Sequence, residues 1–152
     1  MKGLTPWILA ALIVGGCALP GMRRTRIQPA PHSRAREVTM EVTGYCKCKA
    51  CCGWERNWYG RPVFASGRLR GMPKKVGITA SGTMARKGTI AADGARYPFG
   101  TVMEIPGYGR GVVEDRGGAI TGNHIDVYFR THGQALAWGR KQVVVTVWES
   151  AR

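Results

Sequence analysis

Asp93, Asp115 and Asp126 are the only aspartates in the chain, and each falls where a short apolar run meets a turn or groove. A carboxylate held on a rigid strand can give or take a proton, provided its surroundings tune its pKa to the task. The stretch Gly111–Phe129, GVVEDRGGAITGNHIDVYF, carries two of the three. Its apolar runs Gly111–Val113 and Ile125–Phe129 flank a centre rich in Gly, Asn and Thr, a strand–loop–strand pattern. Alternation along the second run sends Ile125, Val127 and Phe129 towards a core, and His124, Asp126 and Tyr128 to the opposite face. A carboxylate between an imidazole and a phenol is a surface suited to gripping a sugar. A second chemical cluster, Cys46, Cys48, Cys51 and Cys52, lies upstream.

The elements that must position these groups are short. Val38–Tyr45 alternates as a first strand, and Ile78–Ala80, Thr89–Ala92, Thr101–Ile105, Arg110–Glu114, His124–Phe129 and Gln142–Trp148 read as further strands between Gly-rich turns. One helix interrupts them: Thr131 and Gln134 form a capping-box pattern before Ala135–Trp138, and Gly139 ends it. Many short strands with one small helix predict an all-β chain closed into a barrel.

The segment VEDRGGAITGNHIDVYF at Val113–Phe129 resembles the signature of the three-aspartate ("3D") domain family, which is also the catalytic core of membrane-bound lytic transglycosylase A. The pieces SGT at Ser81–Thr83, GTIAAD at Gly88–Asp93, YPFGTVMEIPGYG at Tyr97–Gly109 and ALAWGRKQVVVTVW at Ala135–Trp148 follow the same pattern, so the likeness spans most of Val38–Trp148. The resemblance implies a six-stranded double-psi β-barrel (RlpA-like) with one short helix and a Cys-rich loop. It implies an enzyme acting on glycosyl bonds, which cuts between N-acetylmuramic acid and N-acetylglucosamine while the muramoyl 6-hydroxyl attacks in place of water. One carboxyl group then serves as acid and afterwards as base, and must start protonated. On that pattern Asp126 is the acid/base, Asp115 braces the site and Asp93 makes a structural hydrogen bond to a barrel loop, the three together forming the catalytic set. Thr83 holds substrate or orients Asp126, and Ser81, Gly117, Gly118, His124 and Tyr128 complete the candidate substrate contacts. Arg116 and Thr121 stand where family members commonly carry Thr and Lys, so Arg116 is the candidate replacement for a lost glycan-binding charge. The larger enzyme completes its groove with a second domain for which this chain has no room, so a bare barrel would bind glycan weakly or in the company of envelope protein partners.

The rest of the chain sets the context. Lys2, the apolar run Trp7–Val14 and the small residues before Cys17 read as a secretory leader over residues 1–16, too short to span a bilayer. The ending Val-Gly-Gly-Cys resembles a lipobox, which implies an acylated Cys17 and a lipid anchor on the outer membrane, facing the periplasm. A basic Pro/Arg tether over residues 17–36 follows, then the 3D domain at 37–152 with a Cys-rich and basic aromatic loop at 46–77. The formal net charge of +14 calls for a polyanion: nucleic acid, an acidic membrane or a carboxylate-bearing wall polymer. The export signal argues against nucleic acid and for peptidoglycan. In an oxidising compartment the four remaining cysteines are expected in disulfides, in any of three pairings, rather than in a thiolate metal site, where ligands usually come as two separated pairs. No carboxylate–histidine cluster has ligand spacing, so neither metal nor cofactor is expected. Trp54–Gly77, where Trp54, Trp58, Tyr59 and Phe64 alternate with arginines and lysines, shows no period and reads as a long loop that meets sugar rings or folds back over the cysteines.

Three function classes follow. The first is a peptidoglycan lytic transglycosylase-like enzyme, the second a non-catalytic wall-binding or wall-remodelling barrel. The third is an envelope lipoprotein whose cysteines serve metal or redox partners.

Overall fold

In a computed structural model, residues 27–149 are described; the expected leader, the expected acylated Cys17 and the first half of the tether lie outside the described residues. Six strands close a barrel: β1 (Ala35–Tyr45), β4 (Thr89–Ala91), β5 (Val102–Ile105), β6 (Gly109–Asp115), β7 (His124–Tyr128) and β8 (Lys141–Trp148). A separate two-stranded hairpin, β2 (Trp54–Arg56) and β3 (Pro62–Phe64), stands in the segment read as a long loop. Helix α1 (Lys49–Cys52) lies among the cysteines, an addition to the single helix expected, and α2 (His132–Trp138) lies between β7 and β8.

The barrel order is β1-β7-β4-β6-β5-β8, with β8 closing antiparallel onto β1. Two pairs are parallel, β1 with β7 and β4 with β6, and the others antiparallel. Exchanging β1, β4 and β5 for β6, β7 and β8 returns the same circle in reverse, with parallel pairs mapped on parallel pairs. Two interlocked halves of like topology are the double-psi arrangement the resemblance implied.

Alternation builds the core. Met40 and Val42 of β1, Ile90 of β4, Met103 and Ile105 of β5, Val113 of β6, Ile125 and Val127 of β7, and Val145 and Val147 of β8 are each at most 1% exposed. Burying side chains of this size contributes about 1.5–3 kcal/mol apiece. Gly111 is required where β6 passes β4, because a Cβ there would lie 2.7 Å from the Gly88 carbonyl oxygen and from Ile90 Cδ1. Helix α2 starts as expected: the Thr131 hydroxyl accepts from the Gln134 amide at 3.3 Å, and the Gln134 side chain accepts from the Thr131 amide. It buries Ala135 and Trp138, whose indole N–H donates to the Val42 carbonyl at 3.3 Å.

Two expectations need correction. Ile78–Ala80 forms no strand; only an isolated bridge joins Ile78 to Met84, in a segment of turns. The tether ends sooner than residue 36, since Ala35 and Arg36 already pair with Trp148 and Val147 of β8. No helix among the described residues is long and apolar enough to cross a membrane.

Candidate functional site

Strand register assembles a row of side chains across β6, β4, β7 and β1. Ala91 pairs with Asp115 on one side and with Asp126 on the other, and Asp126 pairs in turn with Thr43. Laterally paired residues share a face, so the row Asp115–Ala91–Asp126–Thr43 points one way, outward from the core. Strict alternation would have sent Asp115 inward behind Val113. A bulge between Ile90 and Ala91 opposes Val113 and Asp115 to consecutive residues of β4 and turns Asp115 out. The two aspartate backbones stand two strand spacings apart, roughly 10 Å, with Ala91 between them, packed in one cluster with Tyr45 and Tyr128.

The three aspartates differ in surroundings. Asp126 is half-buried; its Oδ1 accepts from the Thr43 hydroxyl at 2.9 Å, and Oδ2 takes no protein hydrogen bond among the described residues. Burial pushes its pKa above the usual carboxylate range, against the opposing pull of the Thr43 bond and of His124. Asp115 accepts three bonds: Oδ1 from the Ala80 and Arg116 amides and Oδ2 from the Tyr45 hydroxyl, all at 2.9 Å. Tyr45 keeps its proton for that bond, because burial and the Asp115 charge raise its pKa. Asp93 accepts from the Gly122 amide at 2.7 Å and the Ala95 amide at 2.9 Å, and these bonds lower its pKa. It ties two loops together outside the cleft lining.

Asp115 and Asp126 both line a cleft of about 640 Å³ on this outer face, within the ~300–1,000 Å³ span of small-ligand sites. Gly117 and Gly118 form part of its rim, and Phe64, Pro73, Lys74 and Lys75 supply a wall from the 46–77 segment. Lys74 is fastened there, bonded to the Cys52 carbonyl and seated 4.5 Å above the Phe64 ring. Among the loop aromatics, Phe64 lines the cleft, Trp54 donates to the Lys47 carbonyl beside the cysteines, and Trp58 and Tyr59 stand exposed at the hairpin tip.

Several candidate contacts are placed elsewhere. His124 lies outside the cleft lining, its Nε2 2.9 Å from Thr43 Oγ1 and 3.6 Å from Glu41. Tyr128 points with Asp126 and does line the cleft, though it is largely buried, edge-on to Tyr45 at 5.4 Å, under the cysteine segment. Ser81 and Thr83 bond to Thr79 in a hydroxyl cluster and make no bond to Asp126; Thr43, which the sequence reading passed over, has that position. Thr43 was findable only as the outward neighbour of Val42 on a strand whose partner was unknown. Arg116 lines the cleft, its guanidinium donating to the carbonyls of Ala92, Asp115 and Tyr97 and lying 3.9 Å from the Phe99 ring.

The cysteines also depart from expectation. Cys46, Cys48, Cys51 and Cys52 are all free thiols, with no disulfide among them. Turn and helix α1 aim three of them at one point, and the start of α2 adds a histidine. Ligand atoms of Cys46, Cys48, Cys51 and His132 lie within 4.8 Å of one another, a donor set able to hold a metal. Cys52 is turned away, its thiol donating to the Cys46 carbonyl at 3.1 Å.

Comparison with known proteins agrees with the barrel segment. Residues 88–149, which contain five of the six barrel strands, match the 3D domain. Over 75 residues the chain is 40% identical to the cell wall-binding protein YocH of Bacillus subtilis (strain 168), covering 47% of this chain and 26% of that one. Over 128 residues it is 36% identical to YabE of the same organism, a protein named for cell wall shaping, covering 84% of this chain and 26% of that one. The chain thus spans about a quarter of the length of these curated relatives. Among solved structures, the lytic transglycosylase MltA of E. coli superimposes with a TM-score of 0.40 at 24% identity, over 53% of this chain and 30% of that one. At that score the superposition adds nothing to the fold. By its own residues 88–149, the chain carries a 3D domain.

Proposed function

We propose that the cleft binds the glycan of the bacterial cell wall and that Asp126 cleaves it as a lytic transglycosylase does. The observation that carries this reading is Asp126 itself: a half-buried carboxyl lining the cleft, held by Thr43 through one oxygen, with a pKa raised by burial. Its proton passes to the glycosidic oxygen as the bond from that oxygen to the muramoyl C1 breaks. The muramoyl 6-hydroxyl oxygen bonds to C1, its proton returns to the Asp126 carboxylate, and an anhydro end forms without water. Asp115, held by bonds from Ala80, Arg116 and Tyr45, braces the rim. The wall of Phe64, Lys74 and Lys75 borders the cleft, and Lys75 supplies a charge for lactyl and peptide carboxylates. The leader and an acylated Cys17 would deliver the barrel to the envelope.

A second reading, a barrel that binds wall polymer without cutting it, is favoured by the relative named as cell wall-binding. Incubating the protein and its Asp126→Asn variant with purified peptidoglycan, followed by mass spectrometry of the soluble fragments, separates the two. Anhydromuramoyl ends from the parent alone support cleavage by Asp126. Fragments one water heavier indicate hydrolysis and a second carboxylate, and tight binding without fragments leaves the wall-binding barrel.

A further inference from the structure

We propose that Cys46, Cys48, Cys51 and His132 hold one structural zinc ion. Zinc bound by three thiolates and an imidazole sits about 2.3 Å from each sulfur and about 2.0–2.1 Å from nitrogen. A regular tetrahedron of that size has sulfur–sulfur edges of about 3.8 Å and sulfur–nitrogen edges of about 3.5 Å. The Cys46 and Cys51 sulfurs are 3.9 Å apart, and His132 Nδ1 lies 3.5 Å from the Cys48 sulfur and 3.4 Å from that of Cys51. All four ligand atoms fall within 4.8 Å of one another, so the cluster is already close to the size zinc requires. A central ion would replace these mutual contacts with bonds to itself.

Local structure supports the assignment. Cys48-Lys49-Ala50-Cys51 is a CxxC turn in which the Cys51 amide donates to the Cys48 sulfur at 3.4 Å, a bond that favours thiolate. Cys46 adds a third sulfur from the end of β1, and the fourth ligand arrives from residue 132. The sequence objection, that all thiols lie together with no second pair, is met by the histidine. Three soft sulfurs and a nitrogen in a tetrahedron suit zinc over the hard oxygen-seeking cations. Four protein ligands leave no open position for substrate or water, so the ion is structural and not catalytic. It would clamp the cysteine segment to the start of α2, and with it the cover over Tyr45 and Tyr128 beside the cleft. The inference does not depend on what Asp126 does.

The test is metal analysis of the full chain purified under reducing conditions with zinc supplied, followed by cobalt substitution. One zinc per chain is expected. The cobalt protein should show the intense visible bands of a tetrahedral ion with thiolate-to-cobalt charge transfer. Cys48→Ser and Cys51→Ser should weaken zinc binding by more than the roughly 10–100-fold that loss of an outer-shell partner costs, whereas Cys52→Ser should keep the full equivalent. His132→Cys retains four ligands even if the serine variants fail to fold, and should move the cobalt bands to lower energy. Zinc-free protein with all thiols reduced would overturn the proposal. So would cobalt bands unmoved by His132→Cys, or Cys52→Ser losing as much zinc as Cys48→Ser.

Discussion

Asp126→Asn should make the protein more stable at neutral pH while abolishing glycan cleavage. Asparagine keeps the side-chain oxygen that accepts from Thr43 at 2.9 Å and the volume that packs between β4 and β1, and removes the charge. Burial raises the folded-state pKa of Asp126 above its unfolded value, so the folded protein holds this proton more tightly than the unfolded chain does. The parent therefore keeps its full stability below the unfolded value, near 3.9, and loses part of it as pH rises through the folded pKa. Each pKa unit of elevation corresponds to about 1.4 kcal/mol. With the average unfolding entropy of globular proteins, a domain the size of residues 27–149 converts that into about 5 °C in Tm per unit. Thermal melts of parent and variant from about pH 4 to about pH 8 should coincide at the acid end and separate above it, with the variant higher. Curves that superimpose throughout, or a variant that melts lower at neutral pH, would refute the buried-acid argument whatever the protein does to peptidoglycan. The trade of stability for a protonated carboxyl is what a general acid demands of its site.

Other substitutions probe the supports. Tyr45→Phe keeps the ring against Tyr128 but strips Asp115 of the donor to Oδ2, and should cost about 1.5–3 kcal/mol in urea unfolding; an unchanged midpoint would show that bond to be idle. Gly111→Ala drives a methyl against the Gly88 carbonyl and Ile90, and should cost about 1–3 kcal/mol or abolish soluble folding, read by circular dichroism and thermal melts. Ala91→Leu overpacks the buried cluster of Ala91 with Tyr45 and Tyr128 between the two aspartates, and should cost about 1–3 kcal/mol and weaken peptidoglycan pelleting and cleavage together; a variant with parental melting and pelleting would refute that packing.

Much of the scaffold was legible because its signals are local. Period-two alternation marked β1, β5, β6, β7 and β8 to within a few residues, and Thr131, Gln134 and Gly139 marked α2, since strand faces and helix caps depend only on near neighbours in sequence. Ile78–Ala80 carried the same signal and failed, having no strand beside it to complete a ladder.

What only the tertiary structure decided lies in pairings distant in sequence. Residue types alone brought attention to Asp126 and Asp115, but alternation pointed Asp115 into the core, and only the bulge against β4 turned it to the cleft. Crossed connections place β4 between β6 and β7, so that Ala91 joins two aspartates and Thr43 reaches Asp126 from β1; no window of adjacent residues contains that row. His132 lies 80 or more residues from the thiols it meets, which is why a cluster read as disulfides became a four-ligand set. Sequence determines which face of each strand is apolar, because that choice is settled residue by residue. Which strands become neighbours is settled by closing one barrel around one core, and it is this closure that builds the site.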